Sequence, residues 1–177
     1  MSQHQMRSFV AGKHDEVTIR AARRSDAEAI VALVNGYASE GIMLPRTLDS
    51  VAHAIDDFVV AVDRRGRLRG CGALKEYSPS LAEVSSLAIE RDAHGTGLGK
   101  RIVRQVEQLA KKRGIYDLFA LTLTPAFFES AGYAVADRAA YPEKIRRDCM
   151  RCPRRIRCDE VCVSRSLAEV RALEVAA

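Results

Sequence analysis

The sequence lacks any apolar run long enough to cross a membrane. A transmembrane helix needs about 20 mostly apolar residues, and no stretch approaches that length. The first 16 residues, MSQHQMRSFVAGKHDE, are polar and have no apolar centre of the kind found in secretory signals. We therefore expect a cytoplasmic protein without a membrane partner, in which residues 1–16 form a flexible leader.

Excess positive charge is missing from most of the chain. The net charge is +5, yet residues 138–157 alone hold eight basic and two acidic side chains. A nucleic-acid-binding domain normally spreads basic residues along one face or one element, and no such stripe is present outside this segment. The local cluster indicates either a small anionic ligand or a solvated surface, and we expect no nucleic-acid partner.

Two common phosphate-binding motifs are absent from the glycine-rich stretch HGTGLGKRIV (94–103). A P-loop that ends at Gly99-Lys100 would need a glycine at position 94, which is His94. It would also need a serine or threonine at position 101, which is Arg101. The dinucleotide fingerprint requires a third glycine at a position filled here by Lys100 or Ile102, depending on the register. Both motifs are therefore excluded.

The same stretch nevertheless places glycines at 95, 97 and 99, directly before a helical pattern that ends at Gly114. Glycine lets a ligand approach the backbone closely, and a helix N-terminus presents free N–H groups and positive dipole character. The pattern predicts either an anion site or a tight turn that only caps the helix.

Strand-like and helix-like patterns alternate in the order β-α-α-β-β-β-α-β-α-β. The predicted strands are 17–22, 58–63, 68–77, 81–90, 116–124 and 133–137; the predicted helices begin after Asp26, at Thr47 or Asp49, at 100 and at Pro125. This order favours one α/β (or α+β) domain with a mixed sheet and with the glycine turn at the C-terminal end of a strand.

A strand ending in LAI (87–89), an x-G-x-G-x-G turn, a helix, a strand and then FFESAGY (127–133) together resemble the GNAT acetyltransferase family. The resemblance covers residues 17–163, which we take as the domain. It implies a GNAT fold, with a mixed, mostly antiparallel sheet flanked by helices and splayed between its fourth and fifth strands. It also implies acetyl-CoA as co-substrate, with no metal.

In that family, backbone N–H groups of the glycine signature bind the pyrophosphate of acetyl-CoA. The resemblance assigns contacts with this co-substrate to Leu87, Ala88, Ile89, His94, Gly95, Thr96, Gly97, Leu98, Gly99, Lys100 and Phe128. His94 stands where the family has arginine or glutamine. Phe128 stands where many members have a tyrosine that acts as an acid.

The segments GIMLPRTLDSV (41–51) and YPEKIRRDCMRCPRRIRCDEV (141–161) are similar to the amino-acid N-acetyltransferase group, the N-acetylglutamate synthases. The likeness is greatest to the short bacterial form without an amino-acid kinase domain. It implies direct acetyl transfer to the α-amine of L-glutamate, the first step of arginine biosynthesis. Glu83 then matches the general base, and Thr122 matches the hydroxyl that protonates the leaving thiolate.

Glutamate has two carboxylates, and arginine is their natural bidentate partner. The resemblance assigns substrate binding to Arg46 and Arg157, with backbone groups of Leu44 and Ser86 beside them. Two alternatives remain: a GNAT enzyme for another small amine or amino acid, and a non-catalytic module that binds acyl-CoA or an amino acid.

Four cysteines lie within fourteen residues, at 149, 152, 158 and 162. The first pair has the spacing of half a zinc site, but the second half is irregular and no histidine is nearby. Metal binding, redox sensitivity and packed thiols are the three interpretations, and we do not expect a metal. The tail, residues 164–177, has helical periodicity and would pack on the domain or on a second subunit, as in a homodimer.

Overall fold

The computed structural model describes residues 16–168, which form one seven-stranded sheet with helices on its faces. The strands are β1 (Thr18–Ala21), β2 (Phe58–Val62), β3 (Leu68–Ser78), β4 (Leu81–Ile89), β5 (Asp117–Thr122), β6 (Ala134–Val135) and β7 (Val161–Ser166). The helices are α1 (Ala27–Ser39), α2 (Leu48–His53), α3 (Leu98–Lys112), α4 (Pro125–Glu129) and α5 (Pro142–Arg147). The strand order is β1-β2-β3-β4-β5-β7-β6, and only the β4–β5 pair is parallel. The predicted mixed, mostly antiparallel sheet is confirmed.

The β4–β5 pair separates soon after it begins. Pairing covers Leu81–Glu83 against Asp117–Phe119 and then stops, although β4 continues to Ile89 and β5 to Thr122. Ser86 lies where β4 bends, and it alone among the described non-glycine residues has a positive φ, of 50°. The predicted splay between the fourth and fifth strands is therefore present, and it leaves the facing edges of the two strands unpaired beyond Glu83 and Phe119.

Helix α3 covers one face of the sheet. Its apolar positions repeat at helical spacing, and Ile102, Val103 and Val106 are fully buried among side chains of β2, β3 and β4. The close approach depends on Gly72 in β3, because a Cβ atom there would lie 2.9 Å from Cγ2 of Ile102. Helix α3 ends as predicted, with Gly114 at a φ of +75°.

Helices α1 and α2 cover the other face. Ile30 and Val34 of α1 and Val51 of α2 are fully buried in a second cluster with Phe58 and Val60 of β2. The two alternatives for the start of α2 are resolved: the Thr47 hydroxyl accepts a hydrogen bond from the N–H of Ser50 at 3.1 Å, so Thr47 is the N-cap. None of the helices in residues 16–168 is long and apolar enough to cross a membrane.

Strand β7 was not predicted from the sequence. It inserts between β5 and β6, and its residues Val161–Ser166 pair with the whole of β5. The helical prediction for the tail is therefore wrong at 164–166, because edge pairing with β5 outweighs local periodicity; from 169 the tail lies outside the described residues. The predicted leader lies outside them too, apart from Glu16.

The Gly72 contact makes a testable prediction about stability. We expect Gly72→Ala to lower the free energy of unfolding by about 1–3 kcal/mol, because the new methyl group overpacks the core. Gly36→Ala is the matched control: Gly36 lies in α1 with open space around its Cα, so alanine should raise that free energy by about 0.5–1 kcal/mol. Urea denaturation measures both, and equal effects would contradict the close packing of α3.

Candidate active site

The splay opens a cleft of about 1030 Å³ between β4 and β5. Its wall contains most of the residues predicted for the site: Leu44, Arg46, Glu83, Ser86, Leu87, Ala88, Ile89, His94, Gly95, Gly97, Leu98, Gly99, Lys100, Thr122 and Phe128. Thr96 and Arg157 are the two that do not line it. Residues predicted from segments between positions 44 and 128 thus lie around one cavity.

The N-terminus of α3 faces this cleft. Gly97 is the N-cap with a φ of +79°, Gly95 has a φ of +74°, and Gly99 packs against the ring of Phe127. The first N–H groups of a helix have no carbonyl partner within the helix. The first turn contains no acidic residue but does contain Lys100 and Arg101. Cations at this positive end of the dipole are unfavourable unless an anion binds beside them.

His94 connects the glycine turn to α1. Its Nε2 lies 2.9 Å from the Tyr37 hydroxyl and 3.1 Å from the Ile89 carbonyl. The Tyr37 hydroxyl donates to that carbonyl at 2.5 Å, so Nε2 must carry the proton and donate to the phenol oxygen. Thr96 stabilises the same turn by donating its hydroxyl to the Ala93 carbonyl at 2.7 Å. Its side chain therefore supports the turn, outside the cleft wall.

Glu83 is the most buried carboxylate of the cleft, with 4% of its surface exposed. One carboxylate oxygen, Oε2, accepts hydrogen bonds from the Tyr77 hydroxyl and the Lys144 ammonium, both at 2.9 Å. Tyr77 lies on the adjacent strand β3, and Lys144 on α5 lies 61 residues away in sequence. Burial of a carboxylate is tolerated because both donors compensate for the lost water.

Asp148 completes the cluster. Its Oδ2 accepts from Lys75 at 2.5 Å and from Lys144 at 3.1 Å, and it also contacts the Tyr77 hydroxyl oxygen. Burial alone would raise the pKa of Asp148, but the hydrogen bond from Lys75 and the Lys144 charge hold it well below its usual range. Burial, together with the Glu83 charge, raises the pKa of Tyr77 far above that of a free phenol.

The sequence indicated Glu83 but none of the other four residues of this cluster. Register explains part of their meeting, because Lys75 pairs directly with Glu83 across β3 and β4. The spacing of Lys144 and Asp148, four residues apart, was the one available signal, since such residues share one side of a helix.

Thr122, at the end of β5, is nearly buried in the cleft wall. Its hydroxyl oxygen accepts from the N–H of Thr124 at 3.0 Å and lies 3.2 Å from the Thr124 hydroxyl. Phe128 packs edge-on against Phe127 and Tyr133 and forms apolar lining. Of these two residues of the cleft wall, only Thr122 has a hydroxyl group, because position 128 is a phenylalanine and not a tyrosine.

Arg46 lies in the loop before α2, which Asn35 holds in place. The Asn35 amide accepts from the Arg46 N–H at 2.9 Å and donates to the Arg46 carbonyl at 3.0 Å. The guanidinium contacts the Ser50 hydroxyl at 3.3 Å and lies over the Phe58 ring. Within residues 16–168 it forms no ion pair with a carboxylate.

The basic segment 138–157 forms another part of the wall of the cleft. Arg157, which was expected to bind the substrate, is not among its lining residues. Arg157 is exposed at the end of a single 3₁₀ turn, Arg155–Arg157, which points Arg155 at the cleft and Arg157 away from it. Further cations of the wall come from the same segment: Arg138, Lys144, Arg147 and Arg151.

The four clustered cysteines are free thiols, and they lie in two different environments. Cys149, Cys152 and Cys158 line the cleft, whereas Cys162 is buried in β7 beside Phe119, where burial raises its pKa to about 11. The described residues contain no group of three or more side chains that could hold a metal ion.

Comparison with known proteins agrees with this geometry. Residues 18–133 match the acetyltransferase (GNAT) family. The chain belongs to the GNAT family. It is thus an acyltransferase, and its sheet, open between β4 and β5, is a GNAT fold.

The chain is 39% identical over 152 residues to an uncharacterized N-acetyltransferase of Chlorobaculum tepidum, covering 86% of this chain and 97% of that protein. It is 35% identical to an amino-acid acetyltransferase of Mycobacterium tuberculosis, covering 65% of this chain and 67% of that protein. An amino-acid acetyltransferase of Neisseria meningitidis is 33% identical, but this chain, 75% of which aligns, spans only 30% of its length.

Two solved structures are similar over most of the chain. N-acetylglutamate synthase from Neisseria gonorrhoeae, complexed with coenzyme A and N-acetyl-glutamate, superposes with a TM-score of 0.78 at 30% identity, covering 88% of this chain and 36% of that one. Rv2747 from Mycobacterium tuberculosis, in complex with CoA, superposes with a TM-score of 0.75 at 26% identity, covering 85% and 99%.

The lowered pKa of Asp148 makes a prediction about pH. A carboxyl whose pKa is depressed on folding stabilises the protein above its unfolded value, and loses that contribution as pH falls. We expect Asp148→Asn to lower the free energy of unfolding by about 2 kcal/mol at neutral pH, with a difference from wild type that shrinks below the ordinary aspartate value of 3.8. Asp159→Asn, at an exposed ion pair with Arg154, is the control and should have little effect. A pH-independent difference would contradict this account.

Proposed function

We propose that this protein transfers the acetyl group of acetyl-CoA to the α-amine of L-glutamate. The observation that carries the proposal is Arg46, a guanidinium without a carboxylate partner in the described structure, in the same cleft as the buried base Glu83 and the N-terminus of α3. The amino-acid acetyltransferases among its relatives, and the N-acetyl-glutamate bound in the similar Neisseria synthase, support this substrate class.

The residues present fit acetyl-CoA. The start of α3 offers N–H groups of the glycine turn and the cation Lys100 to a pyrophosphate. The edge of β4 at Leu87 and Ala88 would offer main-chain groups to an amide-containing arm, because the pairing of β4 with β5 stops at Glu83. Both similar solved structures contain coenzyme A.

Glu83 would accept the proton of the substrate ammonium, which frees the nitrogen lone pair for attack. The new bond joins this nitrogen to the acetyl carbon, and the carbon–sulfur bond breaks without an enzyme-bound intermediate. Thr122 lies at the end of β5 in the cleft wall, and would donate a hydrogen bond or a proton to the leaving thiolate. Backbone N–H groups of the β4 bend would polarise the acetyl carbonyl.

The charge of the cleft favours an acidic acceptor. Arg46 is placed to bind one carboxylate, and cations of the basic segment, such as Arg147, Arg151 and Arg155, lie in the same wall for the second. Arg157, the earlier candidate, is replaced in this role because it does not reach the cleft. The positive charges of a polyamine would be repelled by these cations. Acetylation of glutamate would make the first intermediate of arginine biosynthesis.

The first test is thiol release from acetyl-CoA with each of the twenty amino acids and several polyamines. We expect glutamate to react with the highest kcat/KM, and Arg46→Ala to lower that value by about 100-fold, as the loss of a charge-assisted pair of hydrogen bonds requires. Binding of acetyl-CoA should be unchanged. Arg65→Ala, on the exposed β2–β3 turn, is the matched control.

Each outcome of this comparison has a definite meaning. Glutamine has a single carboxylate, so a preference for glutamine would show that no cation of the basic segment binds a second carboxylate. Turnover of polyamines, with an unaffected Arg46→Ala variant, would show that the carboxylate site is wrong while the GNAT chemistry remains.

Glu83→Gln tests the base. We expect kcat to fall by about 100-fold or more, since positioned general bases contribute at least that much, whereas acetyl-CoA still binds. Glu76→Gln on β3, where the carboxylate pairs with Arg113 at the surface, is the control and should keep wild-type kcat. If both variants were equally active, Glu83 would be a structural counter-ion of Lys144.

A further inference from the structure

The hydroxyl of Tyr77 lies between two carboxylates. It is 2.9 Å from Oε2 of Glu83 and also contacts Oδ2 of Asp148. A phenol has a single proton, so it can donate to one carboxylate and must then accept from the other, or meet it as two facing oxygens. The contact is therefore fully satisfied only when the two carboxyl groups hold one extra proton between them.

The two carboxylates also differ in their access to solvent. The side chain of Glu83 is 6% exposed and that of Asp148 is 26% exposed. A proton that arrives on Glu83 therefore sits in the interior, whereas the same proton on Asp148 is at the edge of the cleft. Tyr77 is the one described side chain that both donates to Glu83 and touches Asp148 through a group with a free lone pair.

We propose that Tyr77 and Asp148 form a proton relay that returns Glu83 to its charged form after each acetyl transfer. Protonated Glu83 donates to the Tyr77 oxygen while the Tyr77 hydroxyl proton passes to Asp148. One O–H bond breaks and one forms at the phenol, which remains neutral, and Asp148 then releases the proton to water. The relay rests on the proposed role of Glu83 as the base.

The neighbouring cations cannot replace Tyr77 in this relay. Burial opposes the charge of Lys144, but the Glu83 and Asp148 charges outweigh it and raise its pKa, so the ammonium stays protonated and has no lone pair to accept a proton. Lys75 donates to Asp148 alone, and the Arg147 guanidinium lies over the Tyr77 ring at 4.9 Å. These cations offset the two carboxylates, and the low pKa of Asp148 favours release of the proton to water.

Tyr77→Phe removes the relay and keeps the ring that packs on Phe119. We expect kcat to fall by about tenfold, less than for loss of the base itself. Without the relay, Glu83 must transfer its proton directly to a water molecule, which seldom reaches this buried position. The solvent deuterium isotope effect on kcat should rise, and imidazole added at increasing concentration should restore kcat by carrying the proton. Tyr116→Phe, with a half-exposed ring, is the matched control.

Asp148→Asn blocks the same path at its outer end. The amide still accepts a hydrogen bond but cannot take the proton, so kcat and the isotope effect should change as in Tyr77→Phe. The double variant should be no slower than either single variant, since both changes interrupt one path. Thermal unfolding shows which variants fold; if Asp148→Asn does not, Tyr77→Phe decides alone.

The outcomes separate the relay from the proposed function. All variants are compared on the amino acid that the wild type acetylates fastest, so a preference other than glutamate changes the substrate and leaves the relay standing. The relay is wrong if Tyr77→Phe keeps wild-type kcat, or if its lost activity shows no larger isotope effect and no rescue by imidazole. It is also wrong if Glu83→Gln is fully active, or if no amino acid reacts, because no proton then needs an exit.

Discussion

The site depends on the point at which β4 and β5 part. Parallel pairing ends at Glu83 and Phe119, and Ser86 bends β4 away from its neighbour. Backbone groups that would otherwise form a ladder are then left facing a cavity, which is costly unless water or a ligand satisfies them. The separation thus produces the cleft and supplies its main-chain hydrogen-bonding groups. It also places the last paired residue, Glu83, at the inner end.

Burial of Glu83 imposes the next requirement. A carboxylate at this depth needs hydrogen-bond donors and a compensating charge, because desolvation of an isolated ion costs several kcal/mol. The donor from the sheet, Tyr77, comes from β3, two positions along from the Lys75–Glu83 pair. The ion-pair partner, Lys144, comes from α5, which folds back over the splay. Lys144 also contacts Asp148, so the buried Glu83 and the partly exposed Asp148 share Lys144 and the Tyr77 phenol.

The parts of this arrangement that the sequence revealed are those with local causes. The amphipathic pattern of α3, the glycine turn before it and the Thr47 cap each depend on residues within a few positions. Strand β7 was missed because VCVSRS becomes a strand by pairing with β5, from Thr122↔Val161 to Asp117↔Ser166, across more than a helix and a strand of intervening chain. The partners of Glu83 were missed for the same reason, since nothing local relates Lys144 to position 83. Arg157 was expected in the cleft wall, but a two-residue difference within one 3₁₀ turn places Arg155 there instead.

Most of the cations in the cleft wall come from the segment that lies beyond the shared family core. The family match ends at 133, within the turn after α4, and covers β4, the glycine turn and α3. Lys144, Asp148 and every arginine of the cleft wall except Arg46 follow that point. The core therefore provides what any acetyl transfer needs, namely the splay and an anion-binding helix. The segment from α5 to β7 adds further cations to the cleft wall, and under the proposed function these would act with Arg46 to favour an acceptor that carries carboxylates.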